Sequence, residues 1–339
     1  MATDHFQSNP DIARTFFPRA AYRGSWFTRL VRLRIFGKSP INAYLRLNHL
    51  LWSKLPASVT ALGPVRSYGY FLHRLVQQQS VRGQLCHTFF LRNRPALELI
   101  QRLLEGRPRT DTVRVAVLGC SAGAEAYSVA WRIHSARPDL KLILQGVDIS
   151  QQAIEVARAG VYSPATSQIT GTDVFDHMTE AESEEFFDRN GDVVTVKSWI
   201  RDGIEWHVGD VRASEMIDAL GPQDIVVANN FLCHMDAGTA EMCLRSIARL
   251  VSPLGYLFVS GIDLDIRTKV AVELGWKPVQ ELIEEIHNGD PRMETNWPFN
   301  YSALEPLSKR RRDWRLRYAA AFQLIPSSEG VPASRMQPL

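Results

Sequence analysis

No stretch of the 339-residue chain approaches the ~20 consecutive apolar residues that a helix needs to cross a bilayer. The opening residues, Met1-Ala2-Thr3-Asp4-His5-Phe6, lack the basic and apolar regions of a secretory leader. Cysteine is scarce. Cys86, Cys120, Cys233 and Cys243 lie far apart and form no CxxC pair, which argues against a disulfide framework or a structural zinc site. His73, His87 and His134 show no ligand spacing, so no metal is expected. Internal repeats and low-complexity tracts are also missing. These absences predict a cytoplasmic protein with reduced thiols and no membrane insertion.

What is present is an ordinary globular balance, 45% hydrophobic and 22% charged, at a length suited to about two domains. The net charge of +3 hides an asymmetry. Residues 1–110 carry 17 basic against 4 acidic side chains, residues 111–290 carry 14 against 28, and residues 291–339 carry 8 against 4. Two modules fit that split. Either they neutralise each other at an interface, or the basic one meets an acidic partner.

Apolar spacing is helical between Ser39 and Arg109, with Pro56 and Gly63-Pro64 as breaks. One stripe is Tyr68, Phe71, Leu72, Leu75 and another is Leu97, Leu99, Ile100, Leu103, Leu104. After Asp111 the texture changes to short apolar runs alternating with helical stretches: Val113–Leu118, Leu140–Val147, Ile204–Val208, Asp224–Ala228 and Gly255–Val259. That alternation predicts an α/β fold with a mostly parallel, doubly wound sheet. The expected plan is an N-terminal extension (1–38), a basic helical domain (39–110), a catalytic domain (111–290) with a small insertion at 161–203, and a C-terminal extension (291–339).

Ligands in such sheets bind beyond the carboxyl ends of the strands, near the switch point. The first strand runs into Gly119-Cys120-Ser121-Ala122-Gly123-Ala124-Glu125. This turn is not GxGxxG and has no GK[ST], so neither a dinucleotide nor a nucleoside triphosphate fits it well. It suits a ligand without phosphates that approaches the backbone closely, or else serves packing alone. Asp148 ends the second strand, where an acid can accept two hydrogen bonds from a ribose diol. Asp210 follows the third and suits an adenine amino group or a helix cap. Asn229 and Asn230 end the fourth. Four strand ends, each with a polar residue suited to one nucleoside, predict a cofactor site.

Val115–Ser128 (VAVLGCSAGAEAYS), Gln145–Tyr162 (QGVDISQQAIEVARAGVY) and Asp224–Asp236 (DIVVANNFLCHMD) resemble the chemoreceptor glutamate methyltransferase (CheR-type) family. Thr88-Phe89-Phe90-Leu91-Arg92-Asn93 resembles its T-x-F-F-R-[DE] segment, and Ala61–Leu75 its N-terminal helices. The resemblance covers about residues 45–275. It implies a Rossmann-like class I methyltransferase fold behind an all-helical domain, with S-adenosyl-L-methionine as cofactor and S-adenosyl-L-homocysteine as product. It places Thr88 and Arg92 on cofactor and active-site positions, Glu125 on an acid of the glycine turn and Asp148 on the ribose-side acid. Asp210 stands where the family usually has Asn, and Asn230 matches a family Asn. The expected cofactor-binding set is therefore Thr88, Gly119, Ser121, Gly123, Glu125, Asp148, Asp210, Asn229 and Asn230. Ala124, Ala126 and Asn229 depart from the family pattern, and His234 replaces a tyrosine that accompanies the active-site arginine.

Arg92 and His234 are the expected catalytic pair. A carboxylate acceptor is already anionic at neutral pH and needs only a rigid cationic fork to aim one oxygen, which suits Arg92. His234 opens other readings. It can act as base for a hydroxyl or amine acceptor, replace the tyrosine as hydrogen-bond donor, or sit satisfied in the wall. The favoured acceptor is a protein glutamate on an acidic protein. The rivals are a small-molecule methyl acceptor and a non-catalytic cofactor-binding signalling module. The tail around Trp297, Phe299, Tyr301 and Trp314 either adds an edge to the sheet or covers the pocket. Nucleic acid is not an expected partner, since no RNA-binding motif accompanies the Arg run.

Overall fold

The computed structural model describes residues 40–80, 82–83, 85–163, 165–289 and 297–325. The N-terminal extension, and the end of the C-terminal one, lie outside these. The chain divides into two compact units at Gly83/Gln84, with Pro298–Tyr301 joining the first.

The helical unit consists of Pro40–Trp52, Ala57–Thr60 and Gly63–Gln79. Prolines sit where helices tolerate them, with Pro64 in the first turn of the third helix. That helix buries Gly69, Leu72, His73, Leu75 and Val76, one stripe at helical spacing. The Asn48 amide donates to the Tyr44 carbonyl (2.9 Å) and accepts from the Tyr68 hydroxyl (2.6 Å), which ties the first helix to the third. Pro298–Tyr301 packs here too. The Phe299 ring meets His49 edge-on (4.9 Å), the His73 ring lies 3.1 Å from the Pro298 carbonyl, and Arg82 covers Tyr301 (5.6 Å).

The second unit is built on a seven-stranded sheet ordered β6-β2-β1-β7-β8-β10-β9. The strands are β1 (Thr112–Leu118), β2 (Lys141–Asp148), β6 (Ile204–Val208), β7 (Gln223–Asn229), β8 (Val251–Ser260), β9 (Lys277–Pro278) and β10 (Ala321–Gln323). Strands β6, β2, β1, β7 and β8 run parallel, and β10 is antiparallel to both β8 and β9. Five parallel strands with one reversed strand, β10, inserted between β8 and β9 at one edge are the class I methyltransferase topology that the resemblance implies. Val113, Val115 and Val117 belong to one core cluster and Ala116 and Leu118 to the other, so β1 is covered on both faces. Burying each such aliphatic side chain contributes about 1.5–3 kcal/mol. Successive strands are added outward from β1 in one direction (β2, β6) and then from β7 in the other (β8), so the switch point lies between β1 and β7.

Three features differ from expectation or add to it. Helix Arg94–Leu104, placed by sequence in the basic helical domain, buries Leu97, Leu99, Ile100 and Leu104 in the α/β core, so the first unit closes earlier than residue 110. Within 161–203, strands β3 (Val161–Tyr162), β4 (Phe187–Asn190) and β5 (Val193–Val196) form a separate antiparallel sheet. Its core is aromatic, with Phe90 against Tyr162 (5.1 Å), Phe186 (5.6 Å) and Phe187 (5.0 Å). The tail inserts β10 into the main sheet rather than adding an edge, since β9 lies outside it. No helix among the described residues is long and apolar enough to cross a membrane, and no group of three or more His, Cys, Asp or Glu among them could hold a metal.

Candidate functional site

The loop after β1 takes three left-handed residues in five, Gly119 (φ +65°), Ser121 (φ +50°) and Gly123 (φ +89°), before the helix Ala124–Ala136 begins. The glycines answer first to the chain itself. A Cβ on Gly119 would lie 2.7 Å from the Phe231 ring, and one on Gly123 would lie 2.9 Å from both Ala157 and Trp206. Neighbouring side chains therefore explain both glycines, where the sequence reading had a close ligand approach as one option.

Asp148 is buried at the end of β2. Its carboxylate accepts from the backbone N–H of Ser121 (2.7 Å) and of Ser150 (2.8 Å). Burial nevertheless outweighs these bonds and holds its pKa above the ordinary carboxylate value. The Ser121 hydroxyl donates to the Cys86 carbonyl (2.7 Å), which draws the 85–88 stretch, with its buried Thr88, onto the same loop. Asp210, beyond β6, has a partner within its own loop. Both its oxygens accept from Arg212, whose Nε lies 2.8 and 2.9 Å away. Burial would raise the Asp210 pKa, but the guanidinium brings it below the ordinary value.

On the other side of the switch point a pocket opens over β7, β8 and β10. It brings together four of the residues singled out by sequence, Arg92, Glu125, Asn229 and Asn230. Arg92 is aimed by its own segment. The Phe90 N–H donates to the Val174 carbonyl (2.9 Å), and the N–H of left-handed Leu91 donates to the Ser128 hydroxyl (2.9 Å). The Arg92 guanidinium then lies over the Phe89 ring at 5.4 Å, and Phe89 meets His177 edge-on. Asn229 is fixed at both ends of its amide: Nδ2 donates to Glu125 (2.8 Å) and Oδ1 accepts from the Ser260 hydroxyl (2.9 Å). Asn230 is left-handed (φ +61°), a conformation asparagine tolerates better than most residues.

His234 is placed differently. It ends the short helix Leu232–His234, half-buried, and is not among the residues that line the pocket. The histidine that does line it is His287, at the end of helix Ile283–His287. Its Nε2 lies 2.9 Å from the Glu305 carbonyl, and burial pushes its pKa below the ordinary histidine value. Sequence reading also missed Ser260, Arg267 and Tyr318 in this wall. A signal existed for Arg267, which occupies a buried position between Leu264 and Val270 on one helical stripe.

The charges around the β1 loop test whether S-adenosylmethionine suits these residues. The Cys120 thiol is held well above its ordinary pKa, by burial first and then by Asp148 and Glu125, and Cys86 is raised by burial and by Asp148. The loop therefore sits in a negative field with no lysine to cradle phosphate, and a cationic ligand without phosphates fits it. Glu125, Asp148, the Thr88 stretch and the backbone of residues 119–123 are the groups that would hold it.

Comparison with known proteins shows the family. Residues 87–264 match the family model for the CheR methyltransferase SAM-binding domain. Among curated relatives, the chain is 26% identical over 183 residues to the "Probable biofilm formation methyltransferase WspC" of Pseudomonas putida, covering 52% of this chain and 40% of that one. It is 24% identical over 207 residues to a "Chemotaxis protein methyltransferase" of Campylobacter jejuni, covering 59% of this chain and 74% of the relative. Among solved structures, magnesium protoporphyrin IX methyltransferase from Synechocystis PCC 6803 with bound SAM aligns over 54% of this chain and 69% of its own, at 14% identity and a TM-score of 0.32. The chain thus spans two-fifths of the first relative's length.

Proposed function

The chain belongs to the CheR methyltransferase family, and on that premise we propose that it carries a methyl group from S-adenosylmethionine to a carboxylate oxygen, most simply a protein glutamate. The enzyme is an S-adenosylmethionine-dependent methyltransferase; the acceptor, and a cytoplasmic setting, are the parts proposed. The observation that supports the acceptor is that Arg92 lines the pocket beside Asn229 and Asn230 while His234 does not. An acceptor already ionised at neutral pH, with an ordinary pKa of ~4.3, needs orientation and no base.

When bound, the cofactor supplies an electrophilic methyl on a sulfonium. The protein's part is positioning and exclusion of water. Arg92, stacked on Phe89, offers a planar fork that holds one carboxylate oxygen forward. The Ser260–Asn229–Glu125 chain fixes the pocket floor and holds the Glu125 carboxylate there, a charge that would favour a cationic cofactor. Buried Phe258 and the partly buried apolar side chains of the wall limit solvent.

A second reading rests on His287. A carbonyl only accepts, so Nε2 carries the hydrogen toward Glu305 and Nδ1 is the basic nitrogen, available to a hydroxyl acceptor. Replacing Arg92 by lysine separates the two. For a carboxylate acceptor, kcat falls about 10²–10³-fold while S-adenosylhomocysteine affinity holds. A hydroxyl acceptor would leave kcat within a fewfold and make His287→Gln the damaging change.

A further inference from the structure

We infer that Arg267 is a specificity-determining residue of the acceptor pocket, whose free N–H donors engage a carboxylate of the acceptor. The inference rests on the carboxylate reading above. It concerns a residue that lies beyond the stretch matched by the family model, which ends at residue 264.

Arg267 sits on helix Leu264–Glu273, only 3% exposed, and lines the same pocket as Arg92. A guanidinium has five N–H donors. Two are used inside the protein: Nη1 donates to the Val259 carbonyl (2.7 Å) and Nη2 to the Arg317 carbonyl (2.8 Å). Nε is buried with no acceptor. Both partners are neutral carbonyls, and among the described residues no carboxylate is bonded to Arg267.

Its neighbour shows the contrast. Arg317 is also buried, yet it binds Glu305 through Nε (2.6 Å) and Nη2 (2.8 Å) and Asp265 through Nη1 (2.7 Å). Glu305 is committed further by the Tyr318 hydroxyl (2.9 Å). Glu305 and Asp265 thus bond Arg317, and Glu305 reaches Arg267 only through space, so the Arg267 guanidinium has no hydrogen-bonded carboxylate. Burial, and then repulsion from Arg317, lower its pKa to about 9, so the charge is retained at neutral pH at a penalty. A buried cation is destabilising unless paired, and an acceptor carboxylate entering the pocket supplies the missing pair.

The test uses the full chain loaded with S-adenosylhomocysteine, with glutarate as probe and 1,5-pentanediol as its neutral counterpart. Glutarate binding should weaken about tenfold in Arg267→Met and recover in part in Arg267→Lys, with S-adenosylhomocysteine affinity unchanged. In the wild type, the Arg267 Nε–H resonance, assigned through its own side chain, should shift with glutarate and stay put with the diol. That readout stands even if the variants fail to fold. Glutarate binding that depends on Arg92 but leaves the Arg267 resonance and the Arg267→Met affinity unchanged overturns this inference and spares the carboxylate reading. Failure of glutarate to bind the wild type overturns both.

Discussion

The two sides of the sheet's switch point are built by different rules. Over β1, β2 and β6, the groups proposed for the cofactor come from loops close in sequence to their strands, and backbone geometry sets them. Asp148 is held by the N–H groups of Ser121 and Ser150, and Asp210 by the Arg212 N–H together with that residue's own guanidinium. Over β7, β8 and β10, the pocket is assembled from pieces as far apart as Arg92, Glu125, Asn229, Arg267, His287 and Tyr318, and side-chain pairs hold it. A cofactor shared by a whole family favours the first arrangement. Acceptor choice can drift in the second, because part of its wall, including Arg267, His287 and Tyr318, is drawn from residues past the family match.

On the side set by backbone, the largest effect should come from Asp148. Asp148→Asn keeps the shape and removes the charge, and S-adenosylhomocysteine affinity, measured calorimetrically, should fall about tenfold. Asp210→Asn should cost much less, because Arg212 already occupies that carboxylate. Equal losses would break the distinction between the two acids. A pH signature sharpens it. Since the folded Asp148 pKa lies above the ordinary ~3.9, the unliganded protein loses stability as pH rises from that value through the folded one. Cofactor affinity, which needs the carboxylate, should rise over the same interval. Melting curves and titrations across acidic pH check the opposed signs.

On the pocket side, Phe89→Leu removes the aromatic face beneath Arg92. It should lower kcat about two- to fivefold with cofactor affinity unchanged, as steady-state kinetics would report. His234→Gln should change kcat and acceptor KM by no more than about twofold, since that side chain does not line the pocket. A large loss there would restore the histidine to the catalytic pair.

Much of the fold was legible because each parallel strand is a continuous apolar run followed by a helical stripe, as Val113–Leu118 before Ala124–Ala136. The glycine turn, Asp148 and Arg92 were legible as motif residues. Strands β9 and β10 span two and three residues, too few to carry any period, and only pairing makes them strands, β10 with β8 and β9 with β10. Helix Arg94–Leu104 was read correctly as a helix and assigned to the wrong unit, because an amphipathic stripe says that a face is buried and not against what. His234 drew notice by occupying a tyrosine's place in a motif. His287 and Arg267 have no local motif, and only folding brings them to the pocket.

The most direct test of the account follows methyl-labelled S-adenosylmethionine into an extract of the protein's own host, with protein and small-molecule fractions separated and treated with mild alkali. Alkali-labile label on protein, released as methanol, is the predicted result, because a carboxylate methyl ester hydrolyses that way. Alkali-stable label, on protein or on a small molecule, would contradict a carboxylate acceptor and move the chemistry to His287.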